Sequence, residues 1–330
     1  MDTNPKPFAS LLDDLAGRLP IDTIDPQQWT SRLIDGERMG TETDPPAWLS
    51  SSYQTLRDQV MDPAYPCFFG TMAEKRGEMF YGFVRGKRYE TMVKTMRTFA
   101  ALSAMPRFRK FNIAIFFEPD ALPLPHESYH DLFWRTLQHL HDVDEDPDAP
   151  YQPPPSDEAW EFGYAGLQMF VVCACPSFRL RHSRNLGPGM VLLFQPRAVF
   201  VDTITNKVIG REARQQVRKR LETWDDVTAH PDLGFYGDPG NLEWRQYFLP
   251  DANSPSADRC PFLSRIEQSR RKGAREGGEP NAPARRAGAG EAPTAGADNG
   301  HGAPAAVTAH TAGDKKTVNH EGWHRNLMQK

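Results

Sequence analysis

The feature that most constrains the fold is a pair of short apolar runs in the middle of the chain. The first is Leu167 to Cys175, bounded by Gly166 and Pro176, and the second is Met190 to Phe194, just after Gly187-Pro188-Gly189. Apolar runs of this length that are bounded by glycine and proline are typical of buried strands. The sequence therefore predicts two core strands here.

A basic segment joins the two runs. It carries three arginines and a histidine, namely Arg179, Arg181, His182 and Arg184. Guanidinium groups match carboxylates and do not tolerate burial without a partner, so this crowding between two core strands indicates an anionic ligand. The alternative is a solvated basic loop beside a hairpin, because runs of charge usually lie on exposed faces.

The first of the two predicted strands also carries Cys173 and Cys175. Both are interpreted as core residues, and they are expected to face opposite sides of the strand. The sequence therefore predicts that they do not chelate a metal together.

Apolar patterns on either side of this region predict further elements. Two more strands are expected at Phe80–Val84 and Phe111–Phe117, where residues that favour strands are dense. Helical spacing of apolar residues predicts helices over Trp48–Met61, Lys87–Met105, Glu127–Val143 and Arg211–Glu222. Together these elements predict an α+β fold, with a single domain built on a mixed sheet of four or five strands flanked by helices.

Composition divides the chain into three parts. Residues 1–60 are expected to form a helical N-terminal segment that packs on the core, and residues 61–260 to form the main domain. Residues 270–330 are rich in Ala, Gly, Pro, Glu and Arg. Because such residues bury too little apolar surface to offset chain entropy, this tail is expected to be disordered.

Charge and composition limit the class of ligand. The formal net charge is −4 at pH 7, and the acidic excess lies before residue 261, which argues against nucleic acid as the main ligand. No apolar run reaches the roughly 18–20 residues of a membrane span, and the N-terminus lacks the pattern of a signal peptide. Four cysteines do not make a disulfide framework in a chain of 330 residues. The expected ligand is a small molecule and the expected location is the cytoplasm.

Five sequence blocks together resemble the signature of a known family. In chain order they are PCFFG at 66–70, WEFGYAG at 160–166, RHSR at 181–184, FQPRAVF at 194–200 and YGDPGNLEWRQYFLPD at 236–251. They resemble the YqcI/YcgG family, which includes heme-dependent enzymes that N-hydroxylate guanidine nitrogens of arginine-like substrates, as in cycloserine and guanitoxin biosynthesis. The resemblance implies heme b, O2 and a small guanidine or amino-acid substrate in specialised metabolism.

A heme needs an axial donor, an apolar slot and cations for its propionates. His141 is the first candidate for the metal ligand, because the Leu-His-x-x-Asp ending of its predicted helix resembles the family's pattern. His182 is the second, with Arg181 or Arg184 as propionate partners, and Cys67 is the third. The alternatives are a helix-terminal cap for His141, an ordinary loop histidine for His182 and a small buried thiol for Cys67.

A guanidine substrate also needs acidic partners, because a carboxylate binds a guanidinium through two parallel hydrogen bonds. Glu161 and Glu118 are the candidate catalytic acids, and Glu161 is preferred because it adjoins Trp160, an aromatic that can stack on a planar guanidinium. Glu243 is a further substrate-binding candidate, and Arg197 is expected to bind the carboxylate of an amino-acid substrate. The alternative for each acid is a structural salt bridge, for example with Arg197.

Electrons for such a reaction are expected to come from outside the chain. No Gly-x-Gly-x-x-Gly motif follows a predicted strand, so an external reductase is the expected donor. The chief alternative to an enzyme is a heme-binding or small-ligand-binding protein without turnover. The oligomeric state is left open, with a homodimer as one option.

Overall fold

A five-stranded mixed sheet forms the centre of the computed structural model, which describes residues 29–35, 45–146, 152–203, 207–234 and 238–276. The strands are β1 (Met79–Val84), β2 (Asn112–Phe117), β3 (Phe162–Tyr164), β4 (Leu167–Ala174) and β5 (Val191–Pro196). Their order in the sheet is β1-β2-β5-β4-β3. Strands β1 and β2 pair in parallel, and the other neighbours are antiparallel. The predicted α+β domain with four or five strands is thus confirmed.

Seven α-helices lie within these described ranges. They are α1 (Ala47–Val60), α2 (Phe68–Arg76), α3 (Met92–Ser103), α4 (His126–Asp142), α5 (Arg197–Thr203), α6 (Lys207–Trp224) and α7 (Arg265–Glu276). The sequence predicted α1, α3, α4 and α6, with their ends shifted by a few residues, and it missed the other three. In the described part of the chain, no helix is long and apolar enough to cross a membrane.

Helices cover the sheet on both faces. Successive side chains of a strand point in opposite directions, so each strand contributes apolar residues to both faces. On β2, Ile113, Ile115 and Phe117 belong to the core cluster that contains the apolar residues of α3 and α4. Ala114 and Phe116 belong to the cluster that contains those of α1 and α2. The fold therefore has three layers, with a helical layer on each side of the sheet.

The turn before β5 passes close to the end of β2. A Cβ atom at Gly189 would lie 2.4 Å from the carbonyl oxygen of Phe117, a contact that only glycine avoids. The N–H of Phe117 donates to the carbonyl of Met190 at 2.8 Å. The Gly187-Pro188-Gly189 signal thus marks the point where the chain enters the sheet as β5.

The N-terminal segment is attached to the rest of the domain in two places. Trp29, in a 3-10 turn, stacks on Tyr53 of α1 with ring centroids 4.4 Å apart. Arg32 donates from Nε to the carbonyl of Met79 at 2.9 Å, at the start of β1. The predicted N-terminal helices before residue 29 lie outside the described residues.

Helix α7 extends into the region predicted to be a disordered tail. It begins with a capping box, in which the N–H of Ser264 donates to Glu267 Oε2 at 3.0 Å and the N–H of Glu267 donates to Ser264 Oγ at 3.3 Å. Gln268 binds Asp142 of α4 at 2.8 Å. Residues 270–276 are therefore helical, and the remainder of the predicted tail, 277–330, lies outside the described residues.

Candidate functional site

Cys67 lies at the N-terminus of α2, where backbone amides have no partner within the helix. Burial raises the pKa of its thiol, whereas the nearby amides of Gly70 and Phe69 and the charge of Arg184 act to lower it; the side chain makes no capping hydrogen bond to the helix. Burial outweighs the lowering effects, so the neutral thiol is favoured in the protein alone. A thiolate on this half-buried sulfur would lie in the favourable field of the helix N-terminus, and a bound metal ion would supply the charge that stabilises it.

A half-exposed apolar surface adjoins Cys67. Phe68 and Phe69 are both partly exposed, with ring centroids 4.3 Å apart, and Met72 is 40% exposed. The guanidinium of Arg220, from α6, lies 6.0 Å from the centre of the Phe68 ring. These five residues are called the Cys67 surface below, and they combine a sulfur donor, apolar area and a cation.

Two of the three arginines in the basic segment, Arg181 and Arg184, bind backbone carbonyls. Arg181 is 1% exposed and donates from Nε to the carbonyl of Pro250 at 2.8 Å. Arg184 donates to the carbonyls of Gln246 at 3.0 Å and Tyr247 at 3.1 Å. Burial lowers the pKa of both guanidinium groups. They tie the end of β4 to the segment 246–253, and their predicted role toward propionates stays a prediction.

His182 lies at the surface. Its side chain is 46% exposed, and its Nε2 lies 2.9 Å from Asp226 Oδ2. The adjacent Ser183 donates from both its N–H and its hydroxyl to Asp225 at 2.8 Å, so this turn is anchored beside the end of α6. An exposed imidazole paired with a carboxylate lacks the apolar slot that a heme ligand needs, and its role as a ligand stays a prediction.

His141 is enclosed near the end of α4, where it is 1% exposed. Neither of its ring nitrogens has a hydrogen-bond partner among the residues that the structure describes. The ring of Phe262 lies 4.9 Å away. Burial, and then the charge of Arg265, lower the pKa of His141, which favours the neutral form that binds metals. His141 is therefore a second candidate donor, since either ring nitrogen could bind a metal without breaking a hydrogen bond.

Glu161, Arg197 and Glu243 form a buried cluster of two carboxylates around one guanidinium. Arg197 donates from Nε to Glu161 at 2.9 Å and from Nη2 to both oxygens of Glu243 at 2.8 and 2.7 Å. The hydroxyl of Tyr247 also donates to Glu243 at 3.0 Å. Glu161 precedes β3, Arg197 begins α5 and Glu243 begins a 3-10 turn. Three distant segments thus meet in one place.

This cluster carries one more negative than positive group. Burial raises the pKa of Glu243, although Arg197 acts to lower it. Burial acts to lower the pKa of Arg197, but the charges of Glu243 and Glu161 outweigh this and raise it. The structure brings the candidate catalytic acid Glu161 together with Arg197 and Glu243, which were predicted to bind substrate, and it also contains the salt bridge that was their structural alternative. Contact with a substrate stays a prediction.

Two other predicted residues lie apart from the cluster's polar atoms. Trp160 is 1% exposed, with its ring centroid 5.3 Å from that of Phe262 and 5.9 Å from that of Tyr247. Glu118 follows β2, near the start of β5, and accepts a hydrogen bond from the N–H of Gly86 at 2.7 Å. Because Arg197 follows the opposite end of β5, the structure separates Glu118 from the cluster.

The expectation that Cys173 and Cys175 face opposite sides is wrong. Residues two apart in an extended chain share a face, and the two thiols hydrogen-bond each other within one core cluster. Cys175 Sγ lies 3.1 Å from Ser177 Oγ, which lies 3.0 Å from His126 Nδ1. Even so, no group of three or more His, Cys, Asp or Glu side chains is arranged to hold a metal ion in the described ranges.

Sequence reasoning missed part of the Cys67 surface. The aromatic pair directly after Cys67 in PCFFG was a local signal for it, but the helix that exposes the pair was not predicted. Arg220 is distant in sequence and gave no signal, because only the packing of α6 brings it to Phe68.

The fold and these side chains define a three-layer α+β protein with candidate metal donors at Cys67 and His141. The chain belongs to the YqcI/YcgG family, whose signature matches residues 56–263. This match confirms the resemblance that the five sequence blocks indicated.

Individual relatives cover most of the described region. The chain is 34% identical over 228 residues to "Uncharacterized protein YqcI" of Bacillus subtilis (strain 168), which covers 66% of this chain and 89% of that protein. It is 29% identical over 245 residues to "Putative N(omega)-hydroxy-L-arginine synthase DcsA" of Streptomyces lavendulae, which covers 71% of this chain and 91% of that protein. No solved structure matches the chain significantly.

Proposed function

We propose that this protein is a heme-dependent N-hydroxylase that acts on a guanidine or amine nitrogen of an arginine-like small molecule. Membership of the YqcI/YcgG family and the name of the Streptomyces lavendulae relative support this class of reaction. The observation that carries the proposal is the position of Cys67, which lies at the N-terminus of α2 beside a half-exposed aromatic surface.

The residues of the Cys67 surface fit a heme in three respects. A thiolate at Cys67 would ligate iron, the apolar area of Phe68, Phe69 and Met72 would contact the macrocycle, and Arg220 would pair with a propionate. His141 is the alternative donor. It is the weaker candidate because Phe262 and the start of α7 enclose its ring, so a macrocycle would have to displace them.

The chain's own task in this reaction is to hold the substrate nitrogen in place and to exclude water. When bound, heme would supply activation of O2, with electrons from an external donor. In the balanced reaction, one oxygen atom of O2 is inserted into an N–H bond and the other leaves as water. The formation of water consumes two electrons and two protons.

We assign recognition of the substrate to the Glu161–Arg197–Glu243 cluster. Because two carboxylates share one guanidinium there, the excess negative charge favours a second guanidinium, that of the substrate. Arg197 would then also contact the carboxylate of an amino-acid substrate. Glu118 is retained as a separate candidate acid at the other end of β5.

Turnover is expected from heme-loaded protein supplied with L-arginine, O2 and a ferredoxin with its reductase. Mass spectrometry should detect a product that is heavier by one oxygen atom, and isotopically labelled O2 should label that product. Glu161→Gln is expected to lower kcat/KM by roughly tenfold or more, since it removes one charge from the guanidinium site. Glu90→Gln is the matched control, because Glu90 is exposed, and it should leave turnover unchanged.

A non-catalytic heme-binding protein is the second candidate function. It would bind heme in the same place, but guanidine compounds would neither change its absorption spectrum nor yield an oxygenated product. Stoichiometric heme with no O2-dependent product from arginine and related guanidines would contradict the enzyme and favour this alternative.

A further inference from the structure

A separate cleft lies between α6 and the turn-rich segment that follows it. Its volume is about 410 Å³, within the roughly 300–1,000 Å³ typical of small-molecule sites. Its lining includes Arg214 and Arg218 of α6, Asp232, Asp238 and Arg245. It shares no lining residue with the Cys67 surface or with the Glu161–Arg197–Glu243 cluster.

Of the two acidic residues of the cleft, Asp238 has a basic partner, since it lies 3.6 Å from Arg214. His230 Nδ1 accepts from the N–H of Asp232 at 3.1 Å, so it does not donate to the Asp232 carboxylate 3.5 Å away. Arg218 instead donates to the carbonyl of Leu233 at 2.7 Å. Within the described ranges, neither Arg218 nor Arg245 is in ion-pair contact with a carboxylate.

Arg245 is the least satisfied of the three arginines. Its guanidinium lies 5.5 Å from the centre of the Trp244 ring. Its Nε is buried and has no hydrogen-bond acceptor among the described residues. A buried donor without an acceptor is costly, and Arg245 lines the cleft together with Arg214 and Arg218.

The electrostatics of the cleft also indicate an anionic ligand. Burial, and then the neighbouring charge of Arg214, lower the pKa of Arg218. This is the direction expected where cations are brought together without enough negative charge to compensate them.

We propose that this cleft binds a phosphate group, either free or carried by a small molecule, between Arg214, Arg218 and Arg245. Guanidinium groups match phosphate oxygens in geometry, and a dianion compensates two cations at once. The site is independent of heme and of the proposed oxygenase activity.

Calorimetric titration of the full-length protein with inorganic phosphate tests this site. Saturable binding is expected, and Arg245→Gln should weaken it by roughly tenfold or more. Lys219→Gln is the matched control, because it removes one charge from the exposed side of the same helix, and it should change the affinity by less than about twofold. Arg214→Gln serves as a second variant if Arg245→Gln does not fold, since the side chain of Arg214 is 37% exposed.

A second titration with glycerol phosphate distinguishes the two sources of phosphate. Tighter binding of the ester identifies a phosphorylated small molecule, and tighter binding of inorganic phosphate identifies the free anion. Three results would overturn the proposal: no saturable phosphate binding, equal binding of acetate, or equal loss in the Lys219→Gln and Arg245→Gln proteins.

Discussion

Replacing Arg197 by methionine is expected to lower the free energy of unfolding by about 3–5 kcal/mol at neutral pH. The substitution leaves the carboxylates of Glu161 and Glu243, which are 4% and 3% exposed, without their shared cation. Two largely desolvated like charges then repel each other without a cation between them. Chemical denaturation followed by tryptophan fluorescence measures the loss.

The loss of stability in the Arg197→Met protein is expected to become smaller as the pH falls. Burial already raises the pKa of Glu243 in the wild-type protein, and the substitution removes the charge of Arg197 that acts to lower it. A carboxyl group whose pKa is higher in the folded than in the unfolded state binds its proton more tightly when folded. Stability is therefore retained below the unfolded-state pKa and lost as the pH rises through the folded-state pKa. The variant should approach the wild type as the pH falls toward the unfolded-state pKa of a glutamate, about 4.3.

Two controls separate charge from packing. Adding Glu161→Gln and Glu243→Gln to Arg197→Met should restore most of the lost stability, because neutral side chains carry no unpaired charge. Arg211→Met, at an exposed position on α6, should change stability by less than about 0.5 kcal/mol. A small, pH-independent loss in the Arg197→Met protein would contradict the buried charge cluster.

Replacing Cys67 by alanine is expected to reduce heme occupancy more than tenfold, because it removes the proposed sulfur donor. Occupancy is measured as the Soret absorbance per protein chain after expression with a heme precursor. The position is half-buried, so the apoprotein should remain folded, with a loss of no more than about 1 kcal/mol. Far-ultraviolet circular dichroism checks that the fold is retained.

Cys260→Ala is the matched control for Cys67→Ala. Cys260 is also half-buried, and burial raises the pKa of its thiol as it does for Cys67. It lies before α7 and not at the helix N-terminus, so it lacks the helix field that favours a thiolate at Cys67 and is not expected to bind iron. His141→Ala should likewise retain heme. Loss of heme in the His141→Ala protein, together with full occupancy in the Cys67→Ala protein, would move the ligand to His141.

The sheet could be predicted because its signals are local. The apolar runs that became β4 and β5, and the dense apolar segments that became β1 and β2, are visible over a few residues each. β3 was not predicted as a strand because it has only three residues, and its pairing with β4 is what defines it. Helix α7 had a local signal in Ser264 and Glu267, but the polar composition around it obscured the capping box.

The candidate site was harder to predict because its contacts are distant in sequence. Glu161, Arg197 and Glu243 were each singled out, but only the fold shows that they bind one another. Arg181 was predicted to bind a propionate, and no local pattern indicates the carbonyl groups to which it donates in the structure. Cys67 was placed behind two histidines as a candidate ligand, and helix α2, which begins directly after it, was not predicted.

The absorption spectrum of the heme-loaded ferrous protein under carbon monoxide tests the central claim most directly. Thiolate ligation by Cys67 predicts a Soret band at about 450 nm, whereas ligation by a histidine predicts one at about 420 nm. A band at the longer wavelength, lost in the Cys67→Ala protein and kept in the Cys260→Ala protein, is the predicted result. A protein that takes up no heme under any of these conditions would contradict the proposed function.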